Sequence, residues 1–387
     1  MKICFMAPKR SGCYIYTINL AEELSKSRSI QTIIISDVES TKTYKEPVDV
    51  VVSWKRNSLV TPLKLIYLVR KVQCDIMHVQ FEYSTFGKPL FSHLLLLLVL
   101  GALKLVRFKA IVTIHGVLLP MHLARASLLR KLIKTLLTIY YRTLGKVTDA
   151  IIVLNNMQYK VLKSYGVSEA KLIVIPHGSG PVRYEVGVKH HKTNSDWVVI
   201  FFQGFINPNK GLLELMDAVK MLSSEGYKVK LKMLGSIPYQ WREDAKRRNY
   251  LRTVILKATT LGDVVELKLG LFTDEEIIKE ALMSDIIALP YTDNYIETSG
   301  VLHKLMWCGK PIVVSKIPRF YTELTHEANC LMVRPTPSEI AVAIKRLISD
   351  QRLAQSIVEN LKRMSCERSW RNIAKLHLKS YVSIFRR

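Results

Sequence analysis

Four short stretches of the sequence combine residues that bind anions or handle protons with a backbone able to present them. In the stretch from Pro290 to Ser315, Glu297, Thr298 and Ser299 stand just ahead of Gly300, Val301 and Leu302. Hydroxyls at that place are N-cap candidates, and a helix opening near Ser299 offers free N–H groups and a positive dipole end to a phosphate. The plainer alternative is a βαβ unit with no ligand. Lys210-Gly211, at the head of a second helix behind Gln203-Gly204-Phe205-Ile206-Asn207-Pro208-Asn209, is placed to neutralise a diphosphate in preference to being a solvated lysine. His115-Gly116 follows an apolar run, where the imidazole either acts on a substrate hydroxyl or caps the strand end through a hydrogen bond. Lys9 and Arg10 ahead of Gly12 either hold a phosphate or form a solvated loop.

Period and punctuation supply the elements that must hold these residues. Residues 2–7, 31–36, 48–53, 75–80, 110–115, 150–154 and 172–176 read as strands, mostly followed by helical patterns, including a helix from Tyr14 to Lys26. That is a parallel α/β domain, with the loop Phe81-Glu82-Tyr83-Ser84-Thr85-Phe86-Gly87 and His115 at the strand ends where ligands bind. The irregular span 181–196 reads as a linker. A second α/β run has strands at 197–202, 228–235, 264–269, 285–289 and 312–315 and helices at 212–223 and 338–349. Gly309-Lys310-Pro311 ends the helix that begins near Ser299.

Composition narrows the class. A chain of 387 residues with 49% hydrophobic content buries a large core and splits into two domains. A single Gly12 is no GxGxxG fingerprint and Lys210 belongs to no GK[ST] loop, so a dinucleotide enzyme and a P-loop enzyme are both disfavoured. Cys4, Cys13, Cys74, Cys308, Cys330 and Cys366 show no metal-ligand spacing and read as reduced, mostly buried thiols of a cytosolic protein. The opening apolar stretch is too short for a signal peptide and reads as the first strand.

The net charge of +25 is concentrated. From Tyr83 to Thr148 there is no Asp or Glu, while Lys88, Lys104, Arg107, Lys109, Arg125, Arg130, Lys131, Lys134, Arg142 and Lys146 are present. Leu90 to Leu103 is shorter than a bilayer span and reads as a buried helix. Leu123 to Thr143, which carries Tyr140 and Tyr141 near its end, reads as an interfacial amphipathic helix. The coincidence of charge, apolar residues and tyrosines favours an anionic membrane surface over a basic solvated face. With no aromatic RNA-binding motif and no recognition helix, no specific nucleic-acid partner is expected.

The ordered set formed by the Gly12 loop, His115-Gly116, Ile175-Pro176-His177-Gly178, Gly204-Phe205-Ile206 through Lys210-Gly211, Thr298-Ser299-Gly300-Val301-Leu302 and Gly309-Lys310-Pro311 resembles a GT-B glycosyltransferase of family 4, in a branch with a Ser-Gly-Val-Leu variant. The likeness runs along nearly the whole chain, to Ser369-Trp370 and the last helix. It implies two Rossmann-like parallel-sheet domains facing across a cleft: an acceptor domain at 1–180, completed by a C-terminal helix at 368–387, and a nucleotide-sugar domain at 197–367. It also implies a retaining transfer without a metal or other cofactor, from a GDP- or UDP-sugar co-substrate to an acceptor glycan or lipid-linked sugar.

By the same resemblance His115 contacts the transferred sugar and Glu297 its hydroxyls. Lys210 and the N–H groups near Ser299 hold the diphosphate, and the turn from Gly270 to Thr273 holds the base. Gly12, Thr298, Gly300 and Val301 join the donor-binding set. The sequence departs from the family pattern at three positions. The paired glutamates of most relatives would fall on Ile296 and Lys304, with Glu297 one position off, and Phe205 replaces a phosphate-binding arginine. These read as variant donor geometry. The expected location is cytoplasmic, peripheral on the inner face of the cell membrane. The alternatives are a soluble relative acting on a small molecule or polysaccharide and a non-catalytic membrane-binding relative.

Overall fold

A computed structural model describes residues 1–9, 11–37, 48–124, 126–180, 196–237 and 245–386. Arg10, Arg125 and all of the expected linker except Asp196 lie outside the described residues. The chain forms two compact units, one of Met1–Gly178, Tyr295–Gly300 and Arg368–Arg387, the other of Ser179–Asn294 and Val301–Glu367.

The first unit is a seven-stranded parallel sheet. Its strands are β1 (Lys2–Met6), β2 (Gln31–Asp37), β3 (Asp49–Trp54), β4 (Ile76–Phe81), β5 (Lys109–Ile114), β7 (Ala150–Val153) and β8 (Leu172–Val174), in the order β3-β2-β1-β4-β5-β7-β8. β6 (Gly116–Val117) follows β5 directly. The helices are α1 (Gly12–Ser25), α2 (Thr61–Lys71), α3 (Pro89–Leu105), α4 (Pro120–Leu123), α5 (Ser127–Val147) and α6 (Asn156–Ser164). Runs such as Ile33-Ile34-Ile35 and Ile151-Ile152-Val153 are apolar at every position because helices cover both faces of the sheet.

The second unit has a six-stranded parallel sheet in the order β11-β10-β9-β12-β14-β15. Its strands are β9 (Val198–Phe205), β10 (Val229–Ser236), β11 (Val265–Leu269), β12 (Ile286–Leu289), β14 (Ile312–Ser315) and β15 (Leu331–Val333). The helices are α7 (Leu212–Ser224), α8 (Ala245–Leu261), α9 (Asp274–Leu282), α10 (Gly300–Leu305), α11 (Pro318–Tyr321), α12 (Pro337–Ser349) and α13 (Gln351–Glu367). Two doubly wound parallel sheets are thus present, as the sequence implied.

Two returns of the chain complete the first unit. β13 (Ile296–Glu297) pairs antiparallel with β6, Ile296 opposite Val117 and Glu297 opposite Gly116, so Tyr295–Gly300 belongs here although it lies within the span read as the second domain. α14 (Trp370–Phe385) packs on α1. Gly178 makes room for it, since a Cβ there would stand 2.4 Å from the Trp370 ring.

Four expectations need correction. Cys4 and Cys74 are joined in a disulfide with Cα atoms 6.0 Å apart, so not all six cysteines are thiols. Cys74 ends two residues before β4, the sheet neighbour of β1, a proximity that a sequence separation of 70 conceals. α3 is only half covered: Leu95, Leu96, Val99, Leu100 and Leu103 are buried, whereas Leu90 is 86% and Leu94 54% exposed. An unbroken leucine run carries no period to reveal its outer face. Tyr140 and Tyr141 of α5 are not interfacial; both face inward, and Tyr141 Oη accepts from the Leu118 N–H at 3.0 Å. Finally, α10 ends at Leu305, short of the expected Gly309, because the chain tightens into a turn, with Cys308 N–H on the Leu305 carbonyl at 2.9 Å, before Gly309 takes φ +68°.

Candidate functional site

In the second unit the strand order reverses between β9 and β12, and the loops leaving their carboxyl ends meet there, as at the ligand crevice of doubly wound sheets. The loop after β9 passes through a 3-10 turn, Pro208–Lys210, into Gly211 and α7. Gly211 has φ +66°, and a Cβ on it would stand 1.9 Å from the Pro290 carbonyl oxygen, so only glycine fits. This close approach sets Lys210 Nζ 3.6 Å from the centroid of the Tyr291 ring.

The loop after β12 is held just as firmly. Buried Asp293 accepts from Arg319 at 2.9 and 3.1 Å and from Asn209 Nδ2 at 2.9 Å, and Thr292 N–H donates to the Asn209 carbonyl at 3.0 Å. Tyr291 is buried, with Phe320 at 5.3 Å and the Arg319 guanidinium 5.7 Å from its ring centroid. The result is a cluster of two cations and one carboxylate around an aromatic ring. Among these only Lys210 was anticipated. Arg319 carried a usable signal, since it lies in the short helix α11 just after β14, behind Pro318, at the same sheet edge.

The remaining positions expected in this unit are more dispersed. Gly270 follows β11 and donates its N–H to the Gly235 carbonyl at 2.9 Å. Val301 lies in the first turn of α10. Lys304 forms an ion pair with Asp274, the first residue of α9, behind the Thr273–Glu276 capping box. Phe205, at the end of β9, is 44% exposed.

In the first unit the reversal falls between β1 and β4. Gly12 opens α1 behind Ser11, whose hydroxyl accepts from the Tyr14 N–H at 3.1 Å, and nothing lies within 4 Å of where its Cβ would be. Lys9 is tied at its backbone, N–H to Asp37 at 2.7 Å, and Asp37 is ion-paired with Arg56 at 2.6 Å. Across the sheet edge the β6–β13 pairing sets Glu297 beside Gly116, where a Cβ would be 2.7 Å from both Glu297 Cγ and Tyr83 Oη. His115 and Glu297 are therefore brought together by a two-residue strand pair too short to read from periodicity. Of the hydroxyl cluster, Ser299 is buried and Thr298 accepts from Asn155 Nδ2 at 3.4 Å, while Gly300 leaves a Cβ position 3.8 Å from His177 Nε2.

Two electrostatic features mark this edge. Burial holds His115 down at about 3, so the imidazole is neutral, and its Nε2 lies 2.9 Å from Gln80 Oε1. Glu82, one residue beyond β4, is pushed up to about 7 by burial and by the Glu297 carboxylate, against a smaller pull from Arg56 and a 3.4 Å hydrogen bond from Ser84. Perturbed groups of this kind cluster where ligands are handled. Among the described residues no group of His, Cys, Asp and Glu side chains is arranged to hold a metal ion.

Comparison with known proteins gives this geometry its family. The family model for glycosyl transferases group 1 matches residues 187–364, and that for Glycosyltransferase Family 4 matches residues 11–179. A curated relative, the capsular polysaccharide biosynthesis glycosyltransferase CapM of Staphylococcus aureus, is 32% identical over 99 residues, a match that spans only 26% of its length and 23% of this chain. Among solved structures, a glycosyltransferase from Rickettsia africae aligns with a TM-score of 0.73 at 20% identity over 99% of this chain and 98% of its own. Anabaena Alr3699/HepE, solved in complex with UDP-glucose, aligns with a TM-score of 0.72 at 18% identity over 99% and 100%. With the two family models together covering nearly the whole sequence, the chain belongs to the group 1, family 4 glycosyltransferases of GT-B fold.

Proposed function

We propose that the protein is a retaining glycosyltransferase that moves a hexose from a nucleoside-diphosphate sugar to a lipid-linked or glycolipid acceptor at the cytosolic face of a membrane. The observation that carries the donor half is the Lys210 ammonium fixed over Tyr291 at the switch point of the second sheet. When the bond from the sugar C1 to the diphosphate breaks, negative charge grows on the departing nucleotide. A preorganised cation lowers that barrier without moving. α10 has only six residues, so its dipole is small and the neutralisation falls chiefly on Lys210. The UDP-glucose complex of the Anabaena relative supports a uridine nucleotide, with guanosine as the second candidate.

In this reading His115 and Glu297 contact the transferred sugar, a neutral imidazole and a carboxylate being suited to hold hydroxyls. Gly12, Gly270, Thr298, Ser299, Gly300 and Val301 complete the donor-binding set. No cofactor is required by this chemistry.

The acceptor half rests on the outer face of α2, α3 and α5, which pack side by side in that order. Leu63 and Tyr67 of α2, Leu90, Leu94 and Leu98 of α3, and Leu128, Leu132, Leu136 and Ile139 of α5 are exposed. Lys64, Arg70, Lys71, Lys88, Arg130, Lys131 and Lys134 are interspersed, and no acidic residue occurs at 50–74 or 83–148. Apolar side chains within a wholly cationic field suit an anionic bilayer surface, and two copies of such a face would repel one another. Among the described residues no helix is long and apolar enough to cross a membrane, so the proposed attachment is peripheral.

The test is thermal stability of the protein with GDP, UDP, ADP and CMP in turn, with Lys210→Ala as control, followed by transfer assays on the matching sugars with liposomes present. A nucleotide that binds raises the melting temperature by mass action. One nucleotide shifting the wild type and not the variant is the expected result. A variant that shifts equally removes Lys210 from the donor site, and no shift with any nucleotide counts against the donor reading.

A further inference from the structure

Gln80, fully buried on β4, lies between two imidazoles. Its Oε1 is 2.9 Å from His115 Nε2 and its Nε2 is 3.3 Å from His78 Nε2. A carboxamide oxygen only accepts hydrogen bonds, so His115 must carry its proton on Nε2. Among the described residues nothing hydrogen-bonds to His115 Nδ1. We propose that Gln80 is a positioning residue that fixes His115 as the Nε2–H tautomer and thereby leaves Nδ1 as an acceptor for a substrate hydroxyl.

The orientation of the Gln80 amide is itself set by a chain of hydrogen bonds. Its N–H group can donate to His78 Nε2 only if that nitrogen bears no proton. The His78 proton is then on Nδ1, donated to Tyr381 Oη at 2.7 Å, while the Thr113 hydroxyl donates to Nε2 at 2.7 Å. Tyr381 Oη lies 3.4 Å from His377 Nδ1, and His377 Nε2 lies 2.9 Å from Tyr16 Oη. Turning the amide over would require each of these protons to change sides. Contributors from β4, β5, α1 and α14 thus share one polarity, which links the C-terminal helix to the imidazole at the sheet edge. Burial keeps His78, His115 and His377 neutral, so the tautomer and not the charge is the variable.

The proposal rests on the reading of His115 as a substrate contact, but its test does not. In the full chain labelled with nitrogen-15 histidine, long-range nitrogen–proton correlation spectra at neutral pH distinguish the two tautomers, with His115→Asn providing the assignment. The expected result is a protonated Nε2 and a bare Nδ1 in the wild type. Gln80→Met, similar in length but without an acceptor, should give averaged shifts of a tautomer mixture and, with UDP-glucose or whichever donor proves active, a kcat lower by roughly tenfold to a hundredfold at nearly unchanged donor KM. Gln80→Glu restores an acceptor. It should keep the Nε2–H form and raise the His115 pKa enough to introduce a new limb in the pH profile, which a merely structural role would not do. A protonated Nδ1 in the wild type overturns the proposal, as does an unchanged His115 spectrum in a folded Gln80→Met. If Gln80→Met does not fold, the wild-type tautomer and Gln80→Glu still decide it. The predicted tautomer in a protein that transfers no sugar would sink the functional reading and leave this one standing.

Discussion

The Lys210 ammonium rests 3.6 Å from the centroid of the Tyr291 ring, a ring that Phe320 and Arg319 hold in place. If the ring orients the cation for a diphosphate, the aromatic face matters and the phenol oxygen does not. Tyr291→Phe should bind UDP nearly as the wild type does. Tyr291→Leu should bind it about 5- to 30-fold more weakly, as expected for a partly desolvated cation–π contact worth about 1–2 kcal/mol. Isothermal titration with UDP measures both, and equal losses in the two variants would show that the ring does not orient the lysine.

Gly211 admits no side chain, because its φ of +66° and the Pro290 carbonyl both oppose one. Gly211→Ala should lower the stability of the second unit by about 2–4 kcal/mol, combining left-handed strain with displacement of the loop after β12. Urea unfolding followed by fluorescence checks the magnitude. Nucleotide binding should fall with it, since Lys210 is the preceding residue.

Most strands of both sheets were legible in the sequence because fully covered parallel strands are short, β-branched and bounded by turns. Ile312–Ser315 lies where the pattern put it, and Val229–Ser236 is displaced by a single residue. Lys210 was legible for a related reason, since a lysine and a glycine at a helix head are a local signal. Tyr291, Asp293 and Gln80 were not, because their partners are remote in sequence and their roles exist only after the sheets assemble. The β6–β13 pair was invisible for want of length. The outer leucines of α3 were missed because helical periodicity cannot be read from a segment that is apolar all round.

Glu82 gives the first unit a pH dependence whose sign follows from its surroundings. Burial and Glu297 raise its folded pKa to about 7 from 4.5, opposed by Arg56 and Ser84, while the buried Cys13 thiol nearby is itself raised by burial and by Glu82. A carboxyl raised on folding favours the folded state when protonated. Its stabilisation is complete below about pH 4.5 and is lost as pH rises through about 7. Glu82→Gln abolishes that dependence. At pH 8 the variant should therefore be more stable than the wild type, by on the order of 2 kcal/mol, with the advantage vanishing near pH 5. Comparing the two proteins cancels the opposite contribution of the buried neutral histidines, and parallel stability curves across pH 5–8 would remove Glu82 as the titrating group.

The outer leucines of α3 provide the sharpest test of membrane attachment because their inner neighbours already supply the core. Leu94 and Leu98 are exposed, whereas Leu95, Leu96 and Val99 carry the packing, so Leu94→Gln with Leu98→Gln should leave the melting temperature within a few degrees of wild type. If these side chains enter the lipid, each removes roughly 1.5–3 kcal/mol of apolar transfer at full burial, and partial insertion leaves about half of that. Flotation with vesicles containing anionic phosphatidylglycerol should show the double variant bound at least tenfold more weakly. High salt should weaken the wild type as well, because the basic residues around the leucines act through a field that ions screen. Wild-type flotation that is insensitive to both the substitutions and the salt would place the membrane contact on another surface, and no flotation at all would leave the acceptor to be sought among soluble glycans.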